Sequence, residues 1–251
     1  MSYLPGKFNW FEHLSNSPAQ ASEFHRALFG WTFRPLHRDG RPYQLIHNGD
    51  TAIGAMLEAP SGTRCHWNGF VSVSDVDATL RDAVAAGARS VLPAADRDDG
   101  RAATLLDPTG ALLSLWRGIA GDRPDAGDIA VGDWCWNELM TSDAKRALAF
   151  YTQVFGYSEE LHHFPGGGYH ILKGSDGKAR AGVMPSAHPQ VRSTWLPYVR
   201  VEDADAIAAR IAPLGGKLMM APFDVPGVGR IGALFDPLGA ALGFVHPAVR
   251  A

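Results

Sequence analysis

The feature that most constrains this chain is that it is written twice. The segment "WFEHLSNSPAQASEFHRALFGW" from Trp10 returns as "WNELMTSDAKRALAFYTQVFGY" from Trp136. Trp10 and Trp136, Gly30 and Gly156, and Tyr43 and Tyr169 each stand 126 residues apart. The offset becomes 128 for Trp67 and Trp195 and for Gly87 and Gly215, then 129 for Arg101 and Arg230, Asp107 and Asp236, and Gly110 and Gly239. It grows only around "GSDGKA" and "FDVPGVG", where turn residues gather, so small loop insertions account for the drift. A chain of 251 residues is long enough for two ordinary domains, each with a buried core. The expectation is two like domains, 1–120 and 131–251, divided between Ile119 and Gly132. The joining stretch "IAGDRPDAGDIAVG" is rich in Gly, Asp and Pro and has no apolar periodicity.

Each half divides again. "NWFEHL" reads as a strand, and "SPAQASEFHRALFG" as an amphipathic helix closed by a glycine. "PYQLIHNG" and "TAIGAML" follow as strands around an Asn-Gly-Asp turn. A second unit runs through strand "NGFVSVS", helix "DVDATLRDAVAAGA" and strands "ARSVLP", "RAATLLD" and "ALLSLW". Asp75 stands at the N-cap of that helix, where its carboxylate can accept a backbone N–H. The second half repeats the order with "PYVRVE", "DADAIAARIAPLGG", "KLMM", "RIGALFD" and "AALGFV". Four strand–helix–strand–strand–strand modules result, so the fold class is α+β.

Composition removes several function classes. A formal net charge of -3 and the lack of a Lys/Arg-rich run give no basic face for nucleic-acid phosphates. No apolar stretch reaches the roughly 20 residues that span a bilayer, so no membrane partner is expected. "MSYLPGKFNWFEH" lacks the basic and apolar regions of a signal peptide, which makes the cytoplasm the expected location. Cys65 and Cys135 form no metal or redox spacing, and Cys135, between two tryptophans, reads as a small core residue rather than a nucleophile. "FPGGGYH" at 164–170 has no strand–GxxxxGK–helix setting and reads as a hairpin loop.

The module order, "FHRALFGW" and "FYTQVFGY" after the first helix, and "DPTGA" and "DPLGA" before the last strand together resemble the vicinal oxygen chelate superfamily of glyoxalases, extradiol dioxygenases and bleomycin-resistance-type proteins. The likeness runs from about Phe8 to His246 and is nearest to tandem glyoxalase-like proteins whose modules begin "CWxEL"; here "CWNEL" stands at 135–139 and, more loosely, "NWFEH" at 9–13. It implies two glyoxalase-like domains, each made of two βαβββ modules whose curled mixed sheet encloses a cavity. The same scaffold carries several chemistries and plain binding, so the site must be argued separately.

In metal-using members the ligands are His, Gln or Glu on the first and last strands of the modules, because such ions need oxygen or imidazole donors. Aligned on "FG" and "DPxG", these positions fall at Trp10, Trp136, Asn68 and Leu196, and then near Met56 and Val183 and at Ser114 and Gly243. That donor set is vacated, so no metal and no other cofactor is expected. His162 and His163 are neighbours, and His47 and His170 are out of register between the halves, so the histidines read as surface or satisfied core residues. His13 alternates away from Trp10 and Glu12, toward the helix layer or solvent.

What remains is aromatic and acidic. Alternation places Trp10 with Glu12, and Trp136 with Glu138, on one face of their strands. A carboxylate buried against an indole can serve as an acid or base near neutral pH; alternatively each Glu forms a structural ion pair, with Arg101 and Arg230 as matched candidates. The expected ligand-binding set is Trp10, Trp136, Asn68, Ser114, Arg101 and Arg230, with Glu12 and Glu138 as the catalytic candidates. The expected partner is a small organic molecule, and the chain a monomer or homodimer.

Overall fold

A computed structural model describes residues 2–38, 40–164, 167–186 and 192–248 of the chain. Among these residues the first half runs β1 (Phe8–Ser15), α1 (Pro18–Phe29), β2 (Thr32–Arg38), β3 (Arg41–Asn48), β4 (Thr51–Glu58), then β5 (His66–Ser72), α2 (Val76–Ala85), β6 (Arg89–Arg97), β7 (Gly100–Leu106) and β8 (Leu112–Gly118). The second half repeats it as β9 (Trp134–Thr141), α3 (Ala144–Phe155), β10 (Ser158–Phe164), β11 (Gly167–Lys173), β12 (Ala179–Pro185), then β13 (Thr194–Arg200), α4 (Ala204–Ile211), β14 (Lys217–Val225), β15 (Gly229–Phe235) and β16 (Ala241–Pro247). The fourfold strand–helix–three-strand order is the expected one, and the fold is α+β.

Each sequence half supplies one eight-stranded, curled sheet that does not close, in the orders β2-β3-β4-β1-β5-β8-β7-β6 and β10-β11-β12-β9-β13-β16-β15-β14. Both are mixed. Within a module the last three strands pair antiparallel, and the last strand then lies parallel to the first, as β4 does to β1 and β16 to β13.

Packing groups the modules differently. One compact unit comprises Met1–Trp10, Asn68–Asp125 and Trp136–Trp195; the other comprises Phe11–Trp67, Ala126–Cys135 and Leu196–Ala251. The first therefore combines the second and third modules, with α2 packed on α3. The second combines the first and fourth, with α1 packed on α4.

Local sequence explains the helix limits. Asp75, Asp143 and Asp203 each accept backbone N–H groups from the first turn of α2, α3 and α4, as expected for Asp75. α1 starts on Pro18 instead, whose missing N–H costs nothing in a first turn. Gly30 and Gly156 end α1 and α3 in the left-handed region, at φ 76° and 66°, which a residue with a Cβ adopts only at a cost.

The register of β1 fixes which side chains face the helices. Glu12 lies beside Ala55 and His13 beside Met56. Ser22 Oγ of α1 lies 3.3 Å from Met56 Sδ, and the His13 ring centroid lies 5.4 Å from that of His25 on the same helix. His13 and Met56 therefore face the helix, and Glu12 and Ala55 the opposite side. Of the two places that alternation allows His13, helix layer or solvent, it takes the helix-facing one. Met56 does not mark a ligand position, because it is a core residue under α1. Val183 is its counterpart, fully buried beside Leu139 on β9.

Candidate functional site

In the unit built from the second and third modules, Trp136 and Glu138 share a face of β9 and converge on one hydroxyl. The Trp136 indole Nε1 donates to Tyr169 Oη at 2.7 Å, and Tyr169 in turn is hydrogen-bonded to the Glu138 carboxylate. Burial, reinforced by the Glu138 charge, pushes the Tyr169 phenol well above its usual range, so it stays protonated and donates to the carboxylate. The ring of Tyr169, on β11, lies across Gly182 of β12, and any Cβ there would collide with it. Gly182 is the strand neighbour of Glu138, so this glycine makes room for the tyrosine to reach the glutamate. The result is an indole held at a fixed tilt beside a buried carboxylate.

The other unit repeats part of this. Tyr43 Oη donates to Glu12 Oε1 at 2.9 Å. Arg38 Nη1 donates to the same hydroxyl at 3.2 Å, and its guanidinium stacks 5.4 Å above the Tyr43 ring. Trp10, half-buried at the start of β1, falls in the first unit instead. In the sequence only the 126-residue recurrence of Tyr43 and Tyr169 marks these tyrosines.

Arg101 and Arg230 are corrections. Arg101 clamps Asp77 through Nε and Nη2 at 2.6 and 2.8 Å and reaches Asp96 at 2.6 Å. Arg230 does the same with Asp205 at 2.6 and 2.9 Å and Asp224 at 3.2 Å. Each arginine ties the first turn of a helix to an adjacent strand, so its recurrence reflects the fold. Neither is the ion-pair partner weighed for Glu12 and Glu138.

The metal positions of the family can be tested on their donors. Asn68 Nδ2 donates to Ser114 Oγ at 2.8 Å, and Thr104 Oγ1 shares the same serine hydroxyl at 2.8 Å. Asn68 and Ser114 thus meet as a neutral, mutually hydrogen-bonded group. In the other unit Gly243 has no side chain, and the Tyr198 ring covers it. Leu196 is buried and apolar. These residues do not fit a divalent cation, whose binding needs carboxylates or imidazoles.

Two buried clusters on the helix side were not read from the sequence. In the first unit Asp107 accepts from Thr109 and Ala111 N–H at 2.8 and 3.0 Å, which forms the Asp-Pro-x-Gly turn. Its other oxygen accepts from Tyr151 of α3 at 2.9 Å, and Tyr151 accepts from Trp195 Nε1 at 2.9 Å. In the second unit Asp236 forms the same turn through Leu238 and Ala240 N–H at 2.9 and 2.8 Å. There its other oxygen meets His13 Nε2 at 2.7 Å. His25, on α1, replaces Tyr151, and its Nδ1 lies 2.8 Å from Ala21 O. Residues this far apart in sequence carry no spacing signal, and His25 shows only as one polar residue on a buried helix face.

Comparison with known proteins places these features in a family. Residues 12–116 match the family model of the glyoxalase-like domain, and residues 134–244 that of the glyoxalase/bleomycin resistance protein/dioxygenase superfamily. Over 256 aligned residues the chain is 34% identical to "Putative glyoxylase CFP32" of Mycobacterium tuberculosis, covering 98% of this chain and 97% of that one. The anthracycline biosynthesis protein DnrV of Streptomyces peucetius is 33% identical over 127 residues, 45% of this chain and 46% of its own. Among solved structures, a Mn(II)-bound glyoxalase from Novosphingobium aromaticivorans superposes with a TM-score of 0.66 at 15% identity, covering 97% of this chain and 82% of that one. The 2,3-dioxygenase LapB from Pseudomonas sp. KL28 gives 0.65 at 14% identity, covering 100% and 95%.

Proposed function

The chain belongs to the vicinal oxygen chelate superfamily, and on that premise we propose that it binds a small, partly apolar organic molecule at the sheet faces carrying Trp136–Glu138 and Glu12, without a metal of the glyoxalase kind. The observation that carries this reading is the Trp136–Tyr169–Glu138 arrangement. The indole N–H is tied to Tyr169, which fixes the ring as a flat apolar surface, and the carboxylate beside it keeps acceptor capacity for an N–H or O–H of a ligand. An anchored aromatic plate next to one placed polar group is how small-molecule sites combine affinity with orientation. The vacated ligand positions at Asn68, Ser114, Leu196 and Gly243 support the metal-free part of the reading.

A flat ring system suits such a plate, and the name of DnrV places that relative in anthracycline biosynthesis. Planar polycyclic aromatics are therefore the first ligand class to test, with the cytoplasm as the compartment. A second reading is favoured by the same hydrogen bond. A buried carboxylate bridged by a tyrosine hydroxyl can accept and return a proton, so Glu138 or Glu12 would act as acid or base in a lyase or dioxygenase-like reaction. An interaction protein with filled cavities is the remaining alternative.

A thermal-shift screen of planar aromatics tests the primary reading, since a ligand that binds only the folded state raises the melting temperature. Binding that weakens in Glu138→Gln or Glu12→Gln, with the ligand recovered unchanged, supports it. Turnover of the ligand moves the assignment to the acid/base reading, and binding indifferent to both substitutions removes these carboxylates from the site.

A further inference from the structure

The core beneath α1 departs from the expectation that every histidine is a surface or satisfied core residue. There His13 and His25 are both fully buried. A carbonyl oxygen only accepts, so His25 Nδ1, at 2.8 Å from Ala21 O, carries its proton. The opposite nitrogen, Nε2, then carries the lone pair. Nε2 is buried and has no hydrogen-bond partner. In His13, Nε2 lies 2.7 Å from Asp236 Oδ2, while Nδ1 is buried and unpartnered. His13 Nε2 and Asp236 Oδ2 thus stand side by side at one corner of the cluster, with a single proton between them.

In His25 the one N–H is fixed by a carbonyl and the opposite nitrogen is bare, the arrangement of metal-ligating histidines. One donor atom each from His13, His25 and Asp236 lies within 4.8 Å of the others, a span that side-chain shifts of several tenths of an ångström close around one ion. Trp67 stands edge-on to both rings, with centroids at 4.8 and 5.5 Å, and its Nε1 also lacks a partner.

The repeat provides an internal control. Leu139, Tyr151, Trp195 and Asp107 occupy the matching positions in the other unit, where Tyr151 donates to Asp107 and accepts from Trp195. That copy is closed, with its indole N–H and its hydroxyl satisfied. The copy with histidines leaves two imidazole nitrogens and one indole N–H without partners. The fold thus accommodates an apolar and a phenolic residue here, and the histidines answer to something else.

We propose that His13, His25 and Asp236 form a binding site for a borderline divalent transition-metal ion, zinc foremost, with His25 Nε2, His13 Nε2 and Asp236 Oδ2 as the donor set and the ion taking the place of the proton between His13 and Asp236. Neutral imidazole with one carboxylate favours zinc and its neighbours over calcium or magnesium, which take all-oxygen shells. A water or hydroxide on the ion would accept from Trp67 Nε1. The site lies in the core, so the ion enters during folding or local opening and stabilises the unit that holds it.

The test uses the full chain, stripped by chelator under mild denaturation, refolded with or without zinc alone, and desalted. One zinc per chain and a higher melting temperature are expected, with visible ligand-field bands when cobalt replaces zinc. His13→Leu with His25→Tyr copies the other unit and is expected to melt no lower than the metal-free parent while retaining no zinc. If that double variant fails to fold, His25→Gln replaces it, with loss of the cobalt bands as the readout. The combined Glu12→Gln and Glu138→Gln variant is expected to keep its zinc. Three outcomes overturn the site: no zinc after refolding, zinc retained by the histidine variants, or zinc lost with the glutamates.

Discussion

Glu138 and Tyr169 show how one hydroxyl can decide what two neighbours do. The Tyr169 hydroxyl serves both Trp136 and Glu138, so Tyr169→Phe deprives the indole N–H and the carboxylate of that shared partner. Its expected cost is about 1–3 kcal/mol, the range for orphaning a buried polar group, read from denaturant midpoints. Glu138→Gln keeps an acceptor for the tyrosine and removes only the charge, so its expected cost is no more than about 1 kcal/mol. A larger loss for the glutamine variant would mean that the carboxylate is a structural ion. The partner itself was not legible, because a tyrosine on a middle strand reads as core. The alternation that placed Trp136 with Glu138 and turned His13 away was legible, since period two leaves a strand no choice. Cys135 offers a second check at this scale. Burial pushes its thiol up to about 12, its Sγ donates to Tyr198 O at 3.4 Å, and Cys65 is buried as well. Alkylation of the native chain at pH 8 is expected to label neither cysteine appreciably, and the denatured chain both; ready native labelling of Cys135 would reopen its reading as a nucleophile.

At the level of elements, the legible segments are those with a buried face. Helices capped by aspartate or closed by glycine, and strands such as β4 with its run "AIGAML", follow directly from the residues. β2 does not, because "TFRPLHR" is an edge strand exposed along most of its length and carries a proline, so it has no apolar alternation to read. The Asp-Pro-x-Gly turns were legible as turns, whereas their second function was not. Asp107 stitches its own turn with one oxygen and pins α3 through Tyr151 with the other. Asp75 only caps an exposed helix start. Asp107→Ala is therefore expected to destabilise by about 3 kcal/mol or more, since it strands several donors in a buried site, and Asp75→Ala by about 1 kcal/mol. Equal urea midpoints for the two variants would show that the pin to Tyr151 contributes nothing.

For the whole molecule, the repeat in sequence is not the unit of packing. The offsets of 126 to 129 suggested halves that stand alone, and each half does supply one complete sheet. Yet α1 packs on α4 and α2 on α3, and each Asp-Pro-x-Gly aspartate that reaches a helix-side partner finds it in the opposite half: Asp236 at His13 and Asp107 at Tyr151. A single sequence reveals that two segments are alike but not whether each packs against its neighbour or against its counterpart, because both choices bury the same residues. The distinction is measurable on a fragment. Residues 1–125 alone would retain β1 to β8 but expose the buried faces of α1 and α2, including Phe24, Leu28, Val76 and Ala83. Exposed apolar surface of that kind drives association. The fragment is expected to aggregate or to dimerise, with a second copy supplying the missing helix partners as a duplicated ancestor would have done. Analytical ultracentrifugation decides between these cases, and a fragment that is folded, cooperative in melting and monomeric at micromolar concentration would show that the sequence half, rather than the interleaved unit, carries the stability of the fold.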